Sequence, residues 1–270
     1  MSRNAPKHHP RKRFGQNFLH DDGVIRDIVR AVCAVETDHI VEIGPGEGAL
    51  TNELLDTGCT LDAIELDRDL KAYLLSSFAM TRTFTLHSAD ALQLDFSSLI
   101  VHRNQCETRP KLLRVVGNLP YNISTTLLFK FLASLDLIKD MHLMLQLEVA
   151  ERLAATPGNK NWGRLGVMAQ LLCRVEHLFD VSPKAFRPAP KVHSALVRLT
   201  PWELSPYPEV DQSELARIVK QAFSHRRKTL RNNFKGTFTD QDFEAMRINP
   251  DARAETLRIE DFITIATHSG

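Results

Sequence analysis

Cysteine is scarce in this chain, and Cys33, Cys59, Cys106 and Cys173 lie far apart, with no Cys-x-x-Cys pair. That spacing argues against a zinc ribbon and a disulfide framework, so no metal is expected and a reducing, cytoplasmic setting fits best. Long apolar runs are missing too. None approaches the roughly 18 residues that a membrane helix needs, and the first twenty residues carry no apolar stretch of the signal-peptide kind. A soluble protein without a membrane partner is the expectation. Net charge is nearly absent, at +1, but its distribution is uneven. Residues 1–20 contain Arg3, Lys7, Arg11, Lys12 and Arg13 and no acid; residues 220–235 contain Lys220, Arg226, Arg227, Lys228, Arg231 and Lys235, again with no acid. Residues 36–70, by contrast, are rich in acids, with Arg68 the only Lys or Arg. Two basic clusters on a near-neutral chain suggest a local polyanion-binding face, because phosphate contacts need positive charge only where the phosphates lie. A solvated helix face and an unstructured arm would leave the same pattern.

The 270 residues, 43% hydrophobic and 25% charged, suffice for one large core or for a large domain and a small one. Val24, Ile25, Ile28, Val29 and Val32 repeat at helical spacing behind Asp21 and Asp22, either of which can cap a helix. Strands are predicted over 39–43, 60–65, 82–87, 112–116 and 141–147, and helices over 49–56, 67–79, 124–135, 148–155 and 165–173. The stretch 90–110 reads as a polar loop with at most one helical turn. Strands and helices alternating at these lengths predict a parallel sheet covered on both faces. Two further strands, 174–181 and 193–200, flank a proline-rich segment that cannot form a crossover helix, so they are expected to pair antiparallel. Pro201, Pro206 and Pro208 mark a boundary, beyond which helices are predicted over 212–223, 241–247 and 253–266. The expected organisation is a basic arm over 1–20, an α/β domain over 21–200 with a reversed last strand, and a helical domain over 201–270.

The strand at 39–43 runs straight into Gly44-Pro45-Gly46-Glu47-Gly48. Glycines at such a strand-to-helix turn let a ligand approach backbone N–H groups. A tight turn without a ligand would use glycine as well, and nicotinamide enzymes use a related loop, although this spacing departs from the dinucleotide fingerprint. Glu65, ending the next strand, can accept hydrogen bonds from both hydroxyls of a ribose. Asp90 follows the third strand and can meet an adenine amine. All three stand at strand C-termini, the edge where open α/β sheets bind ligands. Asn118-Leu119-Pro120-Tyr121 ends the fourth strand on that same edge. Acceptors from the Asn118 side chain and the Leu119 carbonyl can hold both hydrogens of an exocyclic adenine amine, its lone pair aimed at an electrophilic methyl group. Pro120 stiffens the turn, and Tyr121 offers a flat face to a base taken out of its stack. Asn and Pro are also common in ordinary strand-end turns. The order of glycine loop, Glu65, Asp90 and Asn118 along one edge is what argues for methyl transfer from S-adenosylmethionine.

Several segments carry a resemblance: Gln16-Asn17-Phe18-Leu19, Glu42-Ile43-Gly44-Pro45-Gly46-Glu47-Gly48, Asn118-Leu119-Pro120-Tyr121-Asn122-Ile123-Ser124, Phe186-Arg187-Pro188-Ala189-Pro190-Lys191-Val192, and Phe223-Ser224-His225-Arg226-Arg227-Lys228-Thr229-Leu230. Together they resemble the small-subunit (16S) ribosomal RNA adenine-N6,N6-dimethyltransferase family. The resemblance implies a seven-stranded class I methyltransferase sheet with a small helical C-terminal domain, and S-adenosylmethionine as methyl donor. It implies Asn17, Leu19, Gly44, Gly46, Glu65, Asp90 and Asn118 as cofactor contacts, Asn118 to Tyr121 as the catalytic segment, and Tyr121 and Phe186 as the two faces of the adenine stack. The implied substrate is two adjacent adenosines near the 3′ end of 16S ribosomal RNA in an assembling small subunit, gripped through Arg226, Arg227, Lys228 and Arg231 by a monomeric enzyme. Erythromycin-resistance methyltransferases share the architecture and act on large-subunit RNA; Leu119 and the full helical tail resemble the small-subunit branch. An assembly factor whose binding outweighs its catalysis, a nicotinamide oxidoreductase and a DNA adenine methyltransferase are the alternatives.

Overall fold

The computed structural model describes residues 16–103 and 112–269. The basic residues of the N-terminal arm from Arg3 to Arg13, and Cys106, lie outside them. In chain order the first elements are β1 (Phe18–Leu19), α1 (Asp22–Val32), β2 (His39–Ile43), α2 (Ala49–Leu55), β3 (Thr60–Ile64), α3 (Arg68–Ser77) and β4 (Phe84–His87). Then come α4 (Ser97–Arg103), β5 (Leu113–Asn118), α5 (Ser124–Leu132), β6 (Ile138–Gln146), α6 (Leu147–Ala154) and α7 (Arg164–Leu172). The remainder is β7 (Cys173–Val181), β8 (Phe186–Arg187), β9 (Ser194–Pro201), α8 (Gln212–Ala222), α9 (Leu230–Asn233), α10 (Asp240–Ala245) and α11 (Ile259–Ser269). Among the described residues, no helix is long and apolar enough to cross a membrane.

The chain forms two compact units, Met1–Ala150 with Glu176–Pro201, and Glu151–Val175 with Trp202–Gly270. The second unit thus draws a segment from inside the span expected for the α/β domain. Within that unit, Trp162 donates its indole N–H to the Leu257 carbonyl at 2.9 Å, and Gly158 N–H bonds the Glu255 carbonyl at 2.7 Å. The Phe223 and Phe262 rings pack 5.7 Å apart in its core. The helix expected to begin at 253 begins instead at Ile259, because the Asp261 carboxylate turns back to accept the Arg258 N–H at 2.8 Å and caps it there.

In the first unit a seven-stranded sheet runs in the order β4-β3-β2-β5-β6-β9-β7. The pairs β2–β3, β2–β5, β3–β4 and β5–β6 are parallel, and β9 runs antiparallel to β6, so the expected reversed strand is present. Every residue of β2 is buried, as befits a strand covered on both faces. Asp21 caps α1 through the N–H groups of Gly23 and Val24, and Ile25, Ile28 and Val32 form its buried stripe. The stretch expected to be loop contains α4, whose start is held by the Asp95 carboxylate accepting the Ser97 N–H at 3.0 Å. A second, two-stranded sheet was not legible in the sequence: β1 pairs antiparallel with β8, Phe18 opposite Arg187 and Leu19 opposite Phe186. At the carboxyl ends of β2 and β5, Gly117 stands beside Ile43, and a Cβ there would meet the Ile43 carbonyl at 2.6 Å. Glycine lets the two central strands close together where the site begins.

Candidate active site

A cavity of about 240 Å³ opens at the carboxyl edge of the parallel strands. The loop after β2 forms one wall. Gly44 and Gly46 have φ of 66° and 59°, a region that favours glycine, and a Cβ on Gly46 would meet the Phe18 ring at 2.9 Å. The loop therefore presents backbone, with β1 laid against it. Asn17 and Leu19 line the cavity on that side.

Three carboxylates reach the cavity from successive strands. Glu65, just past β3, is 7% exposed and accepts the Asp67 N–H at 2.8 Å. Burial raises its pKa, against hydrogen bonds from the Asp67, Gly46 and Leu66 N–H groups. Asp90, after β4, accepts the Leu92 N–H on its side chain at 2.9 Å, and its carbonyl accepts those of Gln93 and Leu94. Lys130 of α5 donates to the Leu92 carbonyl at 2.8 Å and ties this turn down. Glu42 was absent from the predicted site, yet it lines the cavity at 1% exposure, accepting the Thr51 hydroxyl at 2.6 Å. Burial, with the neighbouring charge of Glu65, pushes its pKa up to about 7. The signal was available: an acid inside the otherwise apolar strand 39–43 needs a reason.

Asn118 ends β5 and also lines the cavity. Its Nδ2 donates to the Asn17 carbonyl at 2.9 Å. A carbonyl can only accept, so this bond decides which end of the amide is which and leaves Oδ1 as the free acceptor. Leu119 N–H bonds the Met144 carbonyl at 3.2 Å, and Pro120 carbonyl accepts the Ile123 N–H at 3.1 Å, which fixes the turn into α5. Tyr121 follows on the cavity wall, its hydroxyl 2.7 Å from Ser194 Oγ.

Phe186 is not brought to this wall. Its pairing opposite Leu19 turns the ring inward, where it is 2% exposed and shares a buried cluster with Leu19, Ala185 and Leu196. Of the two rings expected to hold a base, Tyr121 lines the cavity and Phe186 does not. The basic residues assigned to RNA also divide. Arg231 is paired with Asp240 and with Asp251, and Arg226 lies 3.5 Å from Glu255. Arg227 and Lys228 are exposed and form no ion pair among the described residues. No cluster of His, Cys, Asp and Glu suited to a metal occurs among the described residues.

Residues 7–269 match the family described as ribosomal RNA adenine dimethylase. The ribosomal RNA small subunit methyltransferase A of Pseudomonas aeruginosa is 54% identical over 260 residues, covering 96% of this chain and 94% of that protein. The protein of the same name from Saccharophagus degradans is 50% identical over 259 residues, again covering 96% and 94%. Among solved structures, a dimethyladenosine transferase from Plasmodium falciparum is similar with a TM-score of 0.76 at 25% identity, covering 92% of this chain and 95% of that one. The 23S rRNA methyltransferase ErmE is similar in fold, with a TM-score of 0.69 at 23% identity and coverage of 93% and 99%.

Proposed function

The chain belongs to the ribosomal RNA adenine dimethylase family, and from that premise we propose that it moves methyl groups from S-adenosylmethionine to N6 of two adjacent adenosines near the 3′ end of 16S ribosomal RNA. The sheet is that of class I methyltransferases, and the chain is an enzyme of this type. The proposed setting is the assembling small subunit, met by a soluble, cytoplasmic monomer.

The site suits the proposed donor. S-adenosylmethionine carries an amino-acid group, a ribose, an adenine and positive charge but no phosphate. Gly44 and Gly46, which carry no side chain, leave room for the amino-acid part, flanked by Asn17 and Leu19. Glu65 is set to accept the ribose hydroxyls and Asp90 to accept the adenine amine. Glu42 and Glu65 form no salt bridge among the described residues, which favours a cationic ligand. When bound, the donor supplies an electrophilic methyl group on a good leaving group.

The observation that carries the reading is the hydrogen bond from Asn118 Nδ2 to the Asn17 carbonyl. It leaves Oδ1 to accept one hydrogen of adenine N6, while the Leu119 carbonyl accepts the other. With both hydrogens held, the N6 lone pair faces the methyl group, and positioning is the main contribution of these residues. Tyr121 supports the face of the base. Arg226, Arg227, Lys228 and Arg231 are proposed to meet RNA phosphates, Arg227 and Lys228 foremost, since Glu255 pairs with Arg226 and Asp240 and Asp251 with Arg231.

The test is methyl transfer to naked 16S RNA, 23S RNA and immature small subunits, with mass spectrometry of the nucleosides. Dimethyladenosine in the small-subunit substrates is expected; product confined to 23S RNA would overturn the assignment. Asn118→Ala should lower kcat by about a hundredfold or more while leaving the melting temperature unchanged. Undiminished turnover in that variant would sink the mechanism.

A further inference from the structure

Tyr121 is held from behind as well as along its backbone. Its carbonyl accepts the Ser124 hydroxyl at 3.2 Å, and the preceding Pro120 carbonyl accepts the Ile123 N–H. Its own hydroxyl lies 2.7 Å from Ser194 Oγ. Ser194 is 0% exposed and stands behind the tyrosine, outside the cavity lining. It is the first residue of β9, opposite Gln146 at the end of β6, and the adjacent His193 carbonyl takes the Leu147 N–H at 2.9 Å. The reversed strand is therefore fastened at the point where it meets the ring. A phenolic O–H lies in the plane of its ring, so a partner fixed in the sheet biases both where the ring sits and how it tilts.

We propose that Ser194 is a positioning residue for methyl transfer: through the Tyr121 hydroxyl it sets the place and tilt of the ring, and so the height of the target adenine relative to Asn118. This rests on the reading that Tyr121 stacks on the target base. It gives the antiparallel strand a part in catalysis beyond closing the sheet. It also commits the phenol hydroxyl within the chain, so that RNA meets the ring by its face and not by its oxygen.

The test compares Tyr121→Phe, Ser194→Ala, the double variant and Tyr121→Ala in the full chain. The readouts are kcat, KM for 16S RNA, calorimetric affinity for S-adenosylmethionine, and melting temperature. Tyr121→Phe and Ser194→Ala should each lower kcat by about tenfold, the worth of one hydrogen bond, with cofactor affinity unchanged. The double variant should be no slower than either, because both changes remove the same bond. Stability should behave differently. Tyr121→Phe strands a fully buried hydroxyl, whereas the double variant strands none, so it should melt higher than Tyr121→Phe while kcat stays low.

Wild-type kcat in either single variant, or kcat that recovers along with melting temperature in the double, would reduce Ser194 to a structural role and overturn the proposal. Tyr121→Ala separates the two levels. If it keeps full activity, the stacking reading itself falls. If it loses activity while Tyr121→Phe and Ser194→Ala keep theirs, only the assignment to Ser194 falls.

Discussion

The two edges of the large sheet treat buried charge in opposite ways. Where β2, β5 and β6 begin, Arg114 donates to Asp140 at 2.9 and 2.8 Å, to Asp38 at 2.7 Å and to the Val32 carbonyl at the end of α1 at 2.7 Å. Lys139 adds a further contact to Asp38 at 3.2 Å. Burial works to raise the Asp38 pKa, but the Arg114 hydrogen bond, the Val35 N–H and the Arg114 charge outweigh it and the net shift is downward. Where the parallel strands end, Glu42 and Glu65 face one cavity without a cation among the described residues, and both pKa values are raised. Charge that serves the fold is neutralised within the chain, and charge left uncompensated is set for something from outside. The second unit repeats the pattern on its surface, with Arg231 paired and Arg227 and Lys228 unpaired among the described residues.

The largest effect should come from breaking the compensated edge. Arg114→Met leaves Asp38 and Asp140 buried without their main cation, and should cost about 3–5 kcal/mol in urea denaturation. Cofactor affinity of the molecules that remain folded should not change. A variant as stable as the parent would mean that the ion pairs contribute nothing net, and the contrast between edges would lose its meaning.

A smaller effect belongs to the uncompensated edge, and its sign is opposite to that of Asp38. The folded pKa of Glu42, about 7, lies above its ordinary value of 4.5. Its contribution to stability is therefore complete below pH 4.5 and is lost as pH rises through about 7. Asp38, shifted downward from 3.8, contributes above that pH and loses its contribution as pH falls through its lowered value. Glu42→Gln, which stays neutral, should melt a few degrees above the parent at pH 8 and converge with it near pH 4. A gap independent of pH would show that Glu42 is not protonated in the folded chain.

The smallest effect concerns the surface. Arg227→Ala should reduce the slope of log affinity for 16S RNA against log salt by about 1. Arg231→Ala should leave that slope nearly unchanged, because Asp240 and Asp251 already neutralise its charge. Equal slopes for the two variants would break the parallel between paired and unpaired charges.

Much of the first unit was legible in the sequence. The short apolar strands, the glycine loop and Asn118 at the end of β5 are patterns within a dozen residues, and their common edge follows from parallel strand direction. Other features were hidden for a physical reason. The residues 186–187 read as part of a proline-bracketed loop, and only pairing with β1 turns the Phe186 ring into the core. The role of Ser194 has no local signal, since a serine opening a strand is unremarkable until Tyr121 is found 2.7 Å away. The segment Glu151–Val175 continues the strand–helix alternation of the first unit, yet its side chains and backbone bond to the C-terminal helical region.

By itself the sequence determined the strands of the large sheet and most of its helices, their alternation, the glycine loop and the chemical identity of the groups along one edge, because these depend on periodicity and on neighbours close in the chain. Tertiary structure alone decided how those groups are aimed. The amide of Asn118 is oriented by a carbonyl 101 positions earlier, and the ring of Tyr121 is held by a hydroxyl 73 positions later. No local pattern records such meetings, since they exist only after strands distant in sequence have been brought to one edge. The reacting groups are written in the chain, and their geometry is a property of the packed sheet.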